Sequence, residues 1–156
     1  MKPTLIYSDL SSEQLEQAYL KAPDDPDVLY ELGLGFYGAN RKDEAEKIFR
    51  RMVILNPESA KGYATLGVIS WNRGDFEDAF QLFSRALDLD SSDPDTLVNL
   101  GLISEQLGEL ELAISLFQSY LVLCPRDGDI QARLDALRSR NGASQQVPAR
   151  TKTLFS

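Results

Sequence analysis

One spacing dominates this sequence, because the same residue types return every 34 positions. The period is clearest in a Leu-Gly pair, in an alanine and in a phenylalanine that follow at fixed offsets. The strict sets are Leu32, Leu66 and Leu100; Gly33, Gly67 and Gly101; Ala45, Ala79 and Ala113; and Phe49, Phe83 and Phe117. A looser set in the same register is Asn40, Gly74 and Gly108. Self-similarity at a fixed period indicates an array of stacked structural units.

The repeated positions fit a pair of helices joined by a tight turn. Leu29, Leu32, Gly33 and Phe36 are spaced i, i+3, i+4 and i+7, which places them on one face of a helix. Small residues at the glycine and alanine positions let two helices approach closely. The asparagine and glycines of the looser set follow the first helix of each unit, where a left-handed residue closes a helix. Acidic residues then open each second helix, near the positive end of its dipole.

The register resembles the tetratricopeptide repeat, whose pattern combines an aromatic residue, Leu-Gly, Tyr, Ala, Phe and Pro at fixed offsets. The sequence departs from it at Ser70 and Ser104, which stand at the tyrosine position, and at Ser91, which stands at the proline position. The resemblance implies an all-α fold. It would be a right-handed superhelix of three helix-turn-helix repeats, with flanking capping helices and with the first helices lining the concave side.

The period also divides the chain into segments. Three full repeats are predicted over residues 26–59, 60–93 and 94–127. Residues 1–10 are predicted to be an N-terminal extension. Residues 141–156 lack periodicity and are predicted to be a disordered tail.

A capping helix is predicted on each side of the three repeats. The N-terminal half-repeat, 11–25, begins with a capping-box pattern, Ser11 and Gln14, and Leu10 and Leu15 are placed as a hydrophobic staple. The C-terminal helix, 128–140, is apolar on the face that would meet the array and polar on the other. Its apolar residues are Ile130, Leu134 and Leu137.

The resemblance also identifies the residues that would face the concave groove. They are Tyr30, Leu34, Tyr37, Ala64, Val68, Trp71, Val98, Leu102 and Glu105. This set is mostly apolar and differs from the positions that pack helix against helix. A large apolar patch on a protein surface usually marks a binding site. The predicted ligand is an apolar or amphipathic segment of a partner protein, helical or extended.

Two other occupants of the groove stay open. The chain's own ends, through the apolar stretches at residues 4–7 and 153–156, would fold back over it. Alternatively, a second copy would cover it, and the protein would then be a homo-oligomer. In that case the function would be that of a structural subunit of an assembly or a self-associating scaffold.

Charge excludes several classes of partner. The net charge is -8, and the four charged residues after Leu137 are all basic, so the stretch 1–137 carries a net charge of -12. This charge repels nucleic acids and anionic lipids. No apolar run reaches the ~18 residues of a membrane span, and none resembles a secretory signal. The single cysteine, Cys124, allows no intramolecular disulfide, and the expected localisation is cytoplasmic.

Two subclasses of the repeat family can be compared with this sequence. Repeats that bind the acidic C-terminal peptide of heat-shock chaperones use a clamp of Lys, Asn and Arg side chains. The matching positions here supply no cation; they are Tyr30, Leu34, Thr65, Asp95 and Asn99. An acidic heat-shock peptide is therefore not expected as the ligand. Small acidic chaperones of bacterial type III secretion are similar in size, charge, repeat number and apolar groove, which implies a secretion chaperone as a narrower hypothesis.

Patterns for catalysis and metal binding are weak. Because the sequence has no histidine, a general base at neutral pH would have to be a carboxylate, a lysine or Cys124. The acidic run from Asp88 to Asp95 lacks the glycine and glutamate of a calcium-binding loop, since Asp93 and Asn99 stand there. Zinc ligands are lacking as well. The sequence predicts a non-catalytic chaperone or adaptor without cofactor or metal.

Overall fold

The computed structural model describes residues 11–145, which fold into helices joined by short turns, the all-α architecture that the sequence predicts. The eight helices are α1 (Ser12–Lys21), α2 (Pro26–Gly38), α3 (Lys42–Leu55), α4 (Ala60–Arg73), α5 (Phe76–Leu89), α6 (Pro94–Leu107), α7 (Leu110–Leu123) and α8 (Gly128–Gln145). This part of the chain contains no strand. Nor does any helix within it have the length and apolar character needed to cross a membrane.

The chain divides into two compact units, Met1–Thr96 and Leu97–Ser156, and the boundary falls inside α6. Unit 1 contains α1 to α5 and the first residues of α6. Unit 2 contains the rest of α6 together with α7 and α8. Each unit has a hydrophobic core of its own.

Side-chain caps begin α1 and α2. The Gln14 N–H donates to Ser11 Oγ at 3.3 Å and the Ser11 N–H donates to Gln14 Oε1 at 2.9 Å, which completes the predicted capping box. At α2, Asp25 Oδ1 accepts from the N–H groups two and three residues further on, at 3.0 and 3.3 Å. These bonds satisfy amides that the first turn of a helix leaves unpaired. Leu10, one half of the predicted staple, lies outside the described residues.

The first helices of the three repeats, α2, α4 and α6, end in the same way. Asn40, Gly74 and Gly108 have φ angles of 61°, 84° and 85°, the left-handed conformation that the sequence predicts for them. In each case the following N–H bonds to a carbonyl five residues back. The pairs are Arg41 to Phe36 at 2.9 Å, Asp75 to Ser70 at 3.0 Å and Glu109 to Ser104 at 2.8 Å. This bond reverses the chain within a few residues, so each second helix returns along the first.

A glycine–phenylalanine contact joins the two helices of each repeat in unit 1. A Cβ atom on Gly33 would lie 2.6 Å from Phe49 Cζ, and one on Gly67 would lie 3.0 Å from Phe83 Cδ1. Both rings are fully buried. Real Cβ atoms essentially never come as close to another atom as the distance at Gly33, and they seldom come as close as the distance at Gly67, so each ring occupies space that a larger residue would need.

Unit 2 repeats this contact and adds α8 to it. A Cβ on Gly101 would lie 2.6 Å from Phe117 Cε1. Phe117 joins a buried cluster with Ala113 of α7 and with three residues of α8. Those three are Ile130, Leu134 and Leu137, so the predicted apolar face of the C-terminal helix is the face that packs.

In α8, polar residues occupy the repeat positions at which the first helix of each repeat packs against its second helix. In the 34-residue register, the packing positions Leu29, Gly33 and Phe36 of α2 correspond in α8 to Gln131, Asp135 and Arg138. The three α8 residues are exposed, and Gln131 Nε2 donates to Asp135 Oδ1 at 3.1 Å. A helix apolar on one face and polar on the other ends a stack of repeats as a cap.

The C-terminal end of α8 differs from the prediction. The sequence predicts a helix over 128–140 and a disordered tail from residue 141, but α8 continues to Gln145. The tail prediction is therefore wrong for residues 141–145. A glycine such as Gly142 costs about 1 kcal/mol in a helix but does not stop it, whereas the next proline is Pro148. Residues 146–156, like the extension 1–10, lie outside the described residues.

Two buried serines replace the tyrosine of the repeat pattern. Ser70 Oγ donates to Asp78 Oδ2 at 2.5 Å, and Ser104 Oγ donates to the backbone carbonyl of Leu100 at 2.7 Å. Both hydroxyls therefore have the partner that a buried polar group requires. The departure from the pattern exchanges an aromatic contact for a hydrogen bond.

The acidic run between α5 and α6 stabilises the turn. Asp90 Oδ1 accepts from the Ser92 N–H at 3.0 Å and from its hydroxyl at 2.9 Å, and these bonds lower the pKa of Asp90. Asp93 Oδ2 accepts from the Thr96 N–H at 2.9 Å and from its hydroxyl at 2.5 Å, at the start of α6. Two of the carboxylates in this run thus have local structural partners.

Asp127 caps α8 and ties it to α7. Its Oδ1 accepts from the N–H groups of Ile130 and Asp129, both at 3.1 Å, and its Oδ2 accepts from the Tyr120 hydroxyl at 2.8 Å. The bond from Ile130 contributes most to lowering the pKa of Asp127, followed by the bond from Tyr120. The same hydrogen bond to Asp127 raises the pKa of Tyr120.

We expect Gly33→Ala to destabilise the protein, because the new methyl group would collide with the buried ring of Phe49. Overpacking of this kind costs about 1–3 kcal/mol, more than the roughly 1 kcal/mol that alanine gains in helix propensity. Gly38→Ala is the matched control in the same helix, since nothing lies within 4 Å of its added Cβ. Thermal melts followed by circular dichroism should show a lower Tm for Gly33→Ala only. An unchanged Tm would contradict the close contact.

We expect the contribution of Asp127 to stability to depend on pH. The carboxyl of an unfolded aspartate has a pKa of about 3.9, and the folded value is lower. The cap therefore stabilises fully above about pH 4 and is lost as the pH falls through the folded pKa. The difference in Tm between the wild type and Asp127→Ala should be constant from neutral pH down to about pH 5 and shrink below it. A difference that persists unchanged at about pH 2 would argue against this role.

Candidate protein-binding face

Two contacts place residues of α2 and α4 on a common side of unit 1. The ammonium of Lys61 in α4 lies 3.8 Å from the ring centroid of Tyr30 in α2. Near the other end of the two helices, Asn72 Nδ2 donates to the hydroxyl of Tyr37 at 2.5 Å. Six of the nine predicted groove residues belong to these two helices. We call them the α2/α4 face: Tyr30, Leu34, Tyr37, Ala64, Val68 and Trp71.

The α2/α4 face is apolar and partly open to solvent. Leu34 is 37% exposed, and the other five residues are half-buried. The edge-on contact of Tyr30 with Phe49 has a centroid distance of 5.9 Å, and that of Trp71 with Phe83 has one of 6.4 Å. Both rings therefore rest on the core while keeping part of their surface accessible. Rigid aromatic side chains lose little conformational entropy on binding, which suits them to contact a ligand.

Polar groups at the ends of this face were not among the predicted site residues. Lys61 forms no ion pair with another described residue, although its ammonium is attracted to the Tyr30 ring. Asn72 and the Tyr37 hydroxyl add hydrogen-bonding atoms at the opposite end. The 34-residue register places Lys61 and Asn72 in the same stripe as the apolar residues, and this alignment is the sequence signal that could have identified them.

An ion-pair network fixes α4 against α3. Arg73 Nη2 lies 2.6 Å from Asp43 Oδ1, and the same guanidinium pairs with Glu46. Arg50 Nε lies 2.7 Å from the other oxygen of Glu46. Burial raises the pKa of Glu46, but the hydrogen bonds from Arg50 and Arg73 outweigh it, so the pKa lies below its usual range. Because Arg73 follows Trp71 and Asn72 directly, the network holds that end of the α2/α4 face in place.

The other three predicted residues lie on α6 in unit 2, and contacts within that unit already engage them. Val98 and Leu102 are half-buried against the cluster formed by α7 and α8. The carboxylate of Glu105 accepts from Arg133 at 2.8 Å and from Arg140 at 3.3 Å, both on α8. A partner-binding role for these three residues stays a prediction, and Glu105 already has two guanidinium partners.

Groups with chemical reactivity are sparse in the described part of the chain. Among residues 11–145, no cluster of His, Cys, Asp and Glu side chains is arranged to hold a metal ion. Cys124 is a half-buried free thiol at the end of α7.

The tetratricopeptide repeat profile matches the chain over residues 8–60, 30–94 and 64–128. No curated protein sequence is significantly similar to it. Similar solved folds include YrrB, described as a TPR protein with an unusual peptide-binding site, with a TM-score of 0.79, 17% identity and coverage of 85% of this chain and 69% of that one. MamA gives a TM-score of 0.74, 20% identity and coverage of 84% and 77%.

A third similar structure is PcrH in complex with the chaperone binding region of PopD. Its TM-score is 0.65 at 28% identity, with coverage of 85% of this chain and 97% of that one. The identities to YrrB and MamA are low enough that those two matches show the fold alone. The repeat profile, by contrast, covers well over half of the chain. The protein therefore belongs to the tetratricopeptide repeat family, whose members mediate protein–protein interactions.

Proposed function

We propose that this protein is a non-catalytic chaperone or adaptor that binds an apolar or amphipathic segment of a partner protein on the α2/α4 face. The observation that carries the proposal is the row of partly exposed apolar side chains on α2 and α4, with Tyr30 and Trp71 anchored on the core. Helix packing does not require these side chains to remain accessible. A ligand that covers them gains the free energy of their burial.

The affinity of such a ligand depends on the apolar area that it covers. Each Å² of apolar surface removed from water contributes about 25 cal/mol. Losses of translational and conformational freedom on association oppose this gain by about 4–15 kcal/mol. A ligand that also buries its own apolar side chains against the face is therefore favoured over one that touches only part of it.

The comparisons support this function without specifying the partner. PcrH was solved with the chaperone binding region of PopD, which makes a client-binding role reasonable for a protein of similar size and fold. A secretion chaperone is the narrower form of the proposal. The charge of -12 on residues 1–137 argues against a nucleic-acid partner, because it repels phosphates.

We expect Val68→Asp to weaken partner binding strongly while the fold persists. Burying a carboxylate against apolar ligand groups costs at least about 1–3 kcal/mol, or roughly 10- to 100-fold in Kd. Tagged wild-type and variant proteins should be used as baits in native lysate, with quantitative mass spectrometry of what each retains. Val122→Asp is the matched control, since Val122 is 80% exposed and lies on α7 in unit 2. Leu102 is less suitable for this substitution, because it packs against the core of unit 2.

A protein that the wild type and Val122→Asp retain and that Val68→Asp loses would support the proposal. Equal retention by all three baits would overturn it. Circular dichroism should confirm that Val68→Asp keeps its helices. If wild-type protein instead forms an obligate oligomer that Val68→Asp dissociates, the same face is used for permanent packing and the chaperone function is wrong.

Trp71 should report binding directly, because it is the single tryptophan of the chain and lies on the α2/α4 face. Peptides that cover the retained partner should shift its emission to shorter wavelength as the ring leaves water. The shift should saturate with peptide concentration and give the Kd. A peptide that binds by calorimetry without changing the emission would show that the site lies elsewhere.

A further inference from the structure

Two of the second helices of unit 1, α1 and α3, carry an unusual exposed face. At positions 34 residues apart they have side chains of opposite charge, followed by an exposed apolar residue. The pairs are Glu13 and Lys47, Glu16 and Arg50, and Leu20 and Ile54. Within each helix the three residues are spaced i, i+3 and i+7, so they share one face.

The apolar residues on this face are among the most exposed of the described chain. Leu20 is 80% exposed and Ile54 is 76% exposed. Glu13 and Lys47 form no ion pair with another described residue. Glu16 lies 3.8 Å from Arg41, and Arg50 is paired with Glu46 at 2.7 Å, so these two charges are shared with contacts inside unit 1. Unit 1 therefore presents an acidic strip ending in leucine beside a basic strip ending in isoleucine.

The two helices lie side by side and run in the same direction. Glu16 of α1 is paired with Arg41, which immediately precedes α3. Arg51, near the other end of α3, lies over the ring of Tyr19 and pairs with Asp24 at 2.6 Å, just beyond α1. The contacts occur in the same order along both helices, which fixes a parallel arrangement.

We propose that this α1/α3 face binds a second copy of the chain, with α1 of each copy lying on α3 of the other. A two-fold axis that runs between the helices and parallel to them brings the acidic strip of each copy, with Glu13, opposite the basic strip of the other, with Lys47, and it brings the exposed Leu20 and Ile54 side chains into the same interface. Each contact then forms twice, as in any interface with this symmetry. The charge complementarity lies within one chain and at one repeat position, which favours a copy of the same chain over an unrelated partner.

The other second helices lack this pattern. The corresponding residues are Gln81, Ser84 and Asp88 in α5 and Ser115, Gln118 and Val122 in α7. Neither set combines charge complementarity with an apolar end. The dimer is therefore specific to α1 and α3. Exposed ion pairs are weak and are screened by salt, so the association is reversible and sensitive to ionic strength.

Sedimentation equilibrium over a range of protein concentrations tests the proposal. We expect the wild type to show a monomer–dimer equilibrium that weakens between about 0.05 M and about 0.5 M salt. Glu13→Lys and Lys47→Glu should each weaken dimerisation about tenfold, because each change places two like-charged pairs in the interface. An equimolar mixture of the two variants, and the double variant Glu13→Lys/Lys47→Glu, should both recover the wild-type affinity.

Further variants distinguish the α1/α3 face from the rest of the protein surface. Leu20→Gln and Ile54→Gln should weaken the dimer, whereas Val122→Gln, equally exposed at the same repeat position, should not. A wild type that stays monomeric at every concentration would overturn the proposal. So would a dimer that Val68→Asp dissociates and Glu13→Lys leaves intact, or the failure of mixed charge-reversed variants to recover. Circular dichroism should verify that each variant is folded.

Discussion

The contact between a first-helix glycine and a second-helix phenylalanine sets the distance between the two helices of every repeat. The ring fills the volume where a side chain on the first helix would otherwise begin, so the backbones approach more closely than two side-chain layers would allow. Fully buried alanines on the second helices belong to the same arrangement. Once this distance is fixed, the remaining faces of both helices are free to differ from one repeat to the next, and the functional surfaces lie on those faces.

Unit 1 uses its two kinds of helix for different surfaces. Its first helices, α2 and α4, present aromatic and aliphatic groups that are anchored on the core but remain partly accessible. Two of its second helices, α1 and α3, present opposite charges beside isolated aliphatic residues. A ligand on one surface and a copy of the chain on the other would contact different residues. In unit 2, by contrast, α8 engages Val98, Leu102 and Glu105 directly or through the cluster that it shares with α7. The apolar side chains of α2 and α4 in unit 1 are thus partly open to a ligand, whereas the predicted groove residues of α6 in unit 2 already contact other residues of that unit.

The sequence predicts most of the fold because the deciding signals are local or periodic. The capping box of Ser11 needs only neighbours three residues apart, and the left-handed residues at Asn40, Gly74 and Gly108 need only the turn chemistry of asparagine and glycine. The candidate site was less predictable. The register shows that Lys61 and Asn72 share a stripe with Tyr30 and Tyr37, but not that their side chains meet, because that depends on rotamers and on the exact crossing of two helices. The pairing of Glu105 with arginines about 30 residues later is hidden for the same reason. The end of α8 was misjudged because the prediction relied on the loss of hydrophobic periodicity after residue 140, and a helix can continue for a further turn without it.

The exposed polar residues Gln131, Asp135 and Arg138 of α8 disfavour the packing of another repeat helix on that face. Residues 131, 135 and 138 carry an amide, a carboxylate and a guanidinium. They leave no space for an aromatic ring of an incoming helix. All three groups would also have to lose their hydration when that helix packs. A further helix built like α3, α5 or α7 would therefore find no glycine in α8 against which to place its phenylalanine. Leucine, glycine and phenylalanine at those three positions would provide the missing packing surface. Three side chains thus oppose the stacking of another repeat on this face of α8.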